Sequence, residues 1–189
     1  MQAFTDARTP GTTDELWLLE HPSVFTLGRN ARPEHLLDPH GIPVVRVDRG
    51  GQVTWHGPGQ LVAYLLLDLK RAGLGIRPLV ELLEQAVIDL LAEGGVQACG
   101  RRDAPGVYVA GRKIAALGLR VRRGASYHGL ALNVDADLAP FGYIDPCGHP
   151  GLEVTRMKDQ GFSLSVRETG DLLADHLARL LGYTVRHVD

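Results

Sequence analysis

Arg49-Gly50-Gly51-Gln52-Val53-Thr54-Trp55-His56-Gly57-Pro58-Gly59-Gln60, followed by Leu61-Val62-Ala63-Tyr64-Leu65-Leu66-Leu67, is the stretch from which the rest of the chain can be read. Four glycines and a proline crowd the polar side chains of Arg49, Gln52, Thr54, His56 and Gln60 between extended segments. Glycine reaches positive φ and lets a ligand approach the backbone, while proline fixes a turn. By pattern alone the stretch reads as a β-hairpin with a Gly-rich tip. The β-branched run Val44 to Val47 leads in, and Gln60 to Leu67 leaves as a buried strand.

Working outward, Leu16 to Leu19 and Val24 to Leu27 read as short strands split by the His21-Pro22-Ser23 turn. A helix is predicted from about Arg77 to Glu93. Leu79, Leu82, Leu83, Ala86, Val87, Leu90 and Leu91 share one face there, and Gly94-Gly95 stops it. Strands follow at Gly106 to Ala110 and Lys113 to Leu119, hinged at Gly111-Arg112, and Arg120 to Val134 continues the sheet around Gly124 and Gly129. A last helix is predicted over about Asp171 to Leu181, closed by Gly182. The order predicts an α+β or mixed α/β fold, with a largely antiparallel sheet flanked by helices. No repeat or low-complexity linker divides the chain, so residues 1–189 read as a single domain.

Composition narrows the function classes. The 189 residues are 44% hydrophobic and 22% charged, with a formal net charge of −2. That balance gives no general pull toward nucleic acid or membrane. No apolar run reaches the ~18 residues of a membrane span, and the N-terminus carries no apolar signal core. Two cysteines, Cys99 and Cys147, make no disulfide framework and suit a reducing, cytoplasmic setting. Neither a Cys-x-x-Cys nor a His-x-x-x-His spacing occurs, so no metal site is expected.

Cys147 lies in Asp145-Pro146-Cys147-Gly148-His149-Pro150-Gly151, where prolines and glycines frame the thiol on a constrained loop. A lone cysteine is more often a small buried hydrophobe. Cys99 fits that description better, since it follows the amphipathic helix and is expected to pack against the sheet. Lys113 opens the apolar stretch Ile114 to Leu117, where an edge lysine is ordinarily a solvated charge. Gly106 to Lys113 almost spells a phosphate-binding P-loop. However, the lysine falls one place late, and Val107-Tyr108-Val109 prefers a strand to an amide-lined loop.

The chain resembles the lipoyl(octanoyl) transferases, of the lipoate/biotin protein ligase fold, in several blocks in family order. These are His21-Pro22-Ser23-Val24-Phe25-Thr26-Leu27-Gly28, the Arg49 to Gln60 stretch, Asp103 to Val109, Arg112 to Ala115, Leu117 to Arg120, His128 to Val134, and Asp145 to Gly148. The match runs from about residue 4 to Thr155 and is weak in the C-terminal helix. Trp55 stands where the family commonly has Tyr, Ala116 where it often has Ser, and Ala125 where a second Cys is frequent. Family members usually carry an extra segment before Phe4.

The resemblance implies transfer of an octanoyl group from octanoyl-acyl carrier protein to a lysine of lipoyl domains, such as glycine cleavage H protein and 2-oxoacid dehydrogenase E2 subunits. It places the acyl-carrying cysteine on Cys147 and its paired lysine on Lys113. The acyl-pocket segments fall on Arg49, Gly50, Gly51, Gln52, Val53, Thr54, Trp55 and His56, on Ala116, Leu117 and Gly118, and on Gly129, Leu130 and Ala131. No cofactor is implied. The chemistry suits these residues: thioester exchange is nearly isoenergetic and a thiolate is a strong nucleophile. A neighbouring cation favours that thiolate and supplies a proton relay. His56 is expected to shape the pocket rather than act as base. Two rival readings are an ATP-dependent lipoate-protein ligase and a non-catalytic module that binds carrier or lipoyl domains. The Pro-Cys-Gly loop and the intact Cys147 and Lys113 speak against them. Arg120 and Arg122, two residues apart on one strand face, read either as charges that solvate a strand edge or as a face that meets an acidic carrier.

Overall fold

Gly57-Pro58-Gly59 does not close a hairpin; it hands the chain from one sheet to another. The computed structural model describes residues 1–187. After a short helix α1 (Gln2–Asp6), β1 (Glu15–Leu19) pairs antiparallel with β5 (Gln60–Leu66). Between them, β2 (Val24–Leu27), β3 (Val44–Arg46) and β4 (Val53–His56) form a separate three-stranded sheet in the order β3-β2-β4. Trp55 folds back over Gly57, where a Cβ would lie 2.0 Å from its ring. This close approach leaves no room for a side chain at residue 57, so the turn between the two sheets requires glycine there.

The larger sheet has the order β1-β5-β9-β8-β7-β6, antiparallel at every pairing. Its later strands are β6 (Cys99–Gly100), β7 (Gly106–Val109), β8 (Arg112–Arg122) and β9 (Ala125–Asn133). Helices α2 (Ile76–Glu93) and α3 (Val166–Leu181) cover one face. Leu61, Ala63 and Leu65 of β5 point into that core with Leu79, Leu83, Val87 and Leu90 of α2. Each such buried leucine contributes roughly 1.5–3 kcal/mol. The alternate residues, Val62 and Tyr64, turn to the opposite face and border a cavity shared with the small sheet.

The predicted helix at Asp171 begins five residues earlier, at Val166. Ser165 Oγ accepts from the Glu168 amide (3.2 Å) and Glu168 Oε2 accepts from the Ser165 amide (2.8 Å), which completes a capping box. Cys99 also differs from expectation. It is exposed, on the two-residue edge strand β6, whose strand partner is β7. Among the described residues, no helix is long and apolar enough to cross a membrane.

Candidate active site

Lys113 stands at the start of β8, just after the Ala110-Gly111 turn, and is 3% exposed. Its Nζ lies 3.1 Å from Cys147 Sγ and donates to the Pro105 carbonyl at 3.1 Å. The ammonium also sits 5.3 Å from the centre of the Tyr108 ring, a favourable cation–π distance. Gly106 makes room for this side chain. A Cβ there would lie 2.5 Å from Lys113 Cε, and its φ of 149° already disfavours any other residue. The Lys113 backbone is anchored independently. Its amide donates to Glu153 O, and its carbonyl accepts from the Thr155 amide, both at 2.9 Å. The strand end that supplies the cation therefore also ties down the loop that carries the thiol.

Cys147 occupies a 3₁₀ turn, Pro146–Gly148, in the left-handed conformation (φ 58°, ψ 17°). Such a backbone is strained for a non-glycine residue by about 1–3 kcal/mol and persists only where its surroundings hold it. Here the holders are visible. His35 Nδ1 contacts Asp145 Oδ2 at 3.1 Å, the Asp145 amide donates to His35 O at 2.9 Å, and Leu36 bridges Ile144. The amides of Gly148 and His149 donate to Asp145 O and Pro146 O within the turn, so they are not free to serve an oxyanion.

The thiol and the ammonium open on a cavity of about 610 Å³ between the two sheets. Arg49 to Thr54, His56, Ala116 to Gly118 and Gly129 to Ala131 all border it with Cys147 and Lys113. Trp55 does not. It turns into the small-sheet core with Phe25 and Phe141, and its indole N–H donates to Ser23 Oγ at 2.9 Å. Alternation along β4 explains this, since its neighbours Thr54 and His56 take the cavity side.

Arg49 is buried, and its hydrogen bonds tie the Gly-rich stretch to β2 of the small sheet, while the Gly50 amide next to it donates to Leu119 O of the large sheet at 2.9 Å. Nε and Nη2 donate to Thr26 Oγ1 (3.2 and 2.9 Å), Nη2 to Thr26 O (2.7 Å), and Nη1 to Gly50 O (2.9 Å). Burial lowers its pKa to about 10, so it stays charged at neutral pH. Of the arginine pair at the candidate docking face, Arg122 is engaged by Asp6 at 3.1 Å, and Arg120 lies opposite Tyr127 in register.

His56 is fixed through Gln60. The Gln60 amide nitrogen donates to Asn133 Oδ1 (2.9 Å) and Trp55 O (3.3 Å), which leaves Oε1 to accept from His56 Nδ1–H at 2.7 Å. Burial pushes the His56 pKa down to about 4, so the ring is neutral with Nε2 unprotonated. A sign follows for stability. Below its ordinary pKa of 6.5 the unfolded chain takes up a proton that the folded ring refuses, so stability is lost as pH falls from 6.5 through about 4. His56→Gln should flatten this acid limb by on the order of 2–3 kcal/mol, read from denaturant midpoints at pH 7 and pH 4.5. Parallel pH curves for variant and wild type would disprove it.

Among the cavity residues that the sequence reading did not mark, His21, Tyr64 and His128 carry titratable rings. His21 Nε2 and Tyr64 Oη are 2.6 Å apart, and His128 Nε2 bonds Asp48 Oδ1 at 2.9 Å, with Tyr127 donating to the other carboxylate oxygen. Tyr64 was hidden inside an apolar run, where only its even spacing from Val62 marked the cavity face. No group of three or more His, Cys, Asp or Glu side chains placed for a metal lies among the described residues.

Comparison with known proteins agrees with this geometry. Residues 1–178 match the family described as lipoyl protein ligase A/B catalytic domain. The octanoyltransferase of Azoarcus sp. (strain BH72) is 64% identical over 182 residues, covering 96% of this chain and 80% of that protein. The octanoyltransferase of Chromobacterium violaceum is 60% identical, over 96% of this chain and 87% of its own. A lipoate-protein ligase A solved with ATP superposes with a TM-score of 0.82 at 19% identity, covering 99% of this chain and 80% of the other. Biotin protein ligase from Aquifex aeolicus gives 0.54 at 17% identity, over 66% and 53%. At those identities the two ligases establish the fold alone. From its sequence and its architecture together, the chain belongs to the lipoyl protein ligase A/B catalytic-domain family.

Proposed function

We propose that this octanoyltransferase of lipoate biosynthesis works through a thioester on Cys147, with Lys113 as its proton relay. The observation that carries the reading is the 3.1 Å approach of Lys113 Nζ to Cys147 Sγ at the edge of a largely apolar cavity. With the Cys147 proton held on Lys113, the thiolate Sγ attacks the carbonyl carbon of the octanoyl thioester. Collapse of the adduct breaks the bond to the donor sulfur, which leaves with that proton. The acceptor lysine amine then attacks the Cys147 thioester and gives its proton to Lys113, and the cysteine sulfur is expelled as the amide forms. Val62, Ala116 and Ala131 offer apolar surface to the eight-carbon tail, at about 0.8 kcal/mol for each methylene buried, whereas the Leu130 side chain packs into the helix-facing core. His56, neutral and fixed by Gln60, shapes the wall.

Octanoyl-acyl carrier protein as donor, and lipoyl domains of H protein and E2 type as acceptors, fit this site, with the cytoplasm as the setting. The test is intact-mass spectrometry after mixing with octanoyl carrier protein in the absence of ATP. A gain of one octanoyl group, mapped to the peptide holding Cys147, is expected. No adduct without ATP would move the reading to an adenylating ligase, and an adduct on Cys99 would remove Cys147 from its role.

A further inference from the structure

The cavity face of the large sheet is laid out in rows across β5, β9 and β8. Val62 pairs with Ala131, and Ala131 with Ala116; two residues on, Tyr64 pairs with Gly129, and Gly129 with Gly118. Cys147 and Lys113 stand at the other end, sharing a small void with Gln60, Asn133, Ala116 and Ala131. Four residues along β5 separate Gln60 from Tyr64, or ~13 Å at ~3.3 Å per residue. With bonds of ~1.5 Å an extended acyl chain advances ~1.25 Å per bond, so its eighth carbon lies ~10 Å from the sulfur. The terminal methyl adds ~2 Å of its own radius. An eight-carbon tail that leaves Cys147 beside Gln60 and follows β5 would therefore reach the row of Tyr64.

The character of the floor changes at that row. Val62, Ala131 and Ala116 are small or apolar. In the next row Tyr64 raises a ring from β5, and the Arg49 stem crosses the floor so tightly that a Cβ at Gly118 would lie 3.1 Å from its Cδ. The ring is pinned by the 2.6 Å bond between its hydroxyl and His21 and flanked by His128 at 6.0 Å. Burial raises the Tyr64 pKa and lowers that of His21, so both are uncharged, and a methyl group meets a ring face rather than an ion.

We propose that Tyr64, held in place by His21, is the end-stop of the acyl channel and sets the preferred chain length at eight carbons. The proposal rests on Cys147 as the point of acyl attachment. Its test compares kcat/KM for hexanoyl, octanoyl and decanoyl carrier thioesters in the wild type, Tyr64→Ala and Tyr64→Trp, with Cys147 adducts mapped in parallel. Tyr64→Ala should raise the decanoyl-to-octanoyl ratio about ten-fold, the factor that two newly buried methylenes supply. Tyr64→Trp should raise the hexanoyl-to-octanoyl ratio instead, and shifts of opposite sign are not produced by a damaged fold. Unchanged ratios in both variants, with octanoyl on Cys147, would overturn Tyr64 as the stop. An octanoyl group mapped elsewhere would overturn the nucleophile, and with it the origin from which this length is measured.

Discussion

Cys147→Ala should abolish octanoyl transfer to a lipoyl domain, by at least ~10³-fold, while Cys99→Ala stays within about two-fold of wild type. Cys147 is the sulfur bonded to the buried lysine, and no other group at the cavity edge duplicates a thiolate nucleophile. Cys99 is an exposed residue of the edge strand β6 and does not border the cavity. The variant should fold normally, because alanine gives up only one half-buried sulfur and meets the same left-handed backbone that cysteine already tolerates. Mass spectrometry of the acceptor domain gives the rate, and thermal melting gives the control. Comparable loss from both substitutions, or activity retained without Cys147, would end the assignment.

Lys113→Ala should slow transfer by ~10²-fold or more, and should also slow alkylation of Cys147 by iodoacetamide at pH 7, since the proposed relay then has no amine 3.1 Å from the sulfur to hold its proton. Lys113→Arg should restore part of the alkylation rate but little turnover. Arginine keeps the charge, yet does not exchange a proton near neutral pH. The backbone bonds of residue 113 to Glu153 and Thr155 survive both substitutions, so the loop bearing Cys147 stays anchored and the effect is chemical. The Pro105 carbonyl loses its donor in Lys113→Ala, at a stability cost of about 1–3 kcal/mol that melting will record. Identical alkylation rates in wild type and Lys113→Ala would show that the two side chains do not interact electrostatically.

The elements with strong local signals were legible. The seven-residue apolar face of α2 and the Gly94-Gly95 stop locate that helix to within a residue at its start. The start of α3 was missed although Ser165-x-x-Glu168 spells its cap, because the apolar spacing after Asp171 outweighed a polar signal. What periodicity could not show was partnership. β4 and β5 are consecutive and separated by three residues, yet they belong to different sheets. The pairing of β4 with β2, and of β5 with β1 and β9, is set by long-range partners. The same limit applies to the site. Its two reactive side chains were marked by resemblance, whereas Tyr64, His21 and the turn of Trp55 away from the cavity depend on strand register, which a single residue's slip inverts.

The reactive pair joins residues 34 apart in sequence, and the whole β8–β9 hairpin lies between them. Lys113 meets Cys147 only after that hairpin has closed and the segment around Val154 has come back beside the start of β8. Long-range contacts of this kind form late, because loop closure must precede them. A growing chain on the ribosome would therefore carry the Cys147 thiol without its lysine neighbour. On the proposed mechanism, acylation competence would appear only with the completed fold and would report that the whole domain has assembled.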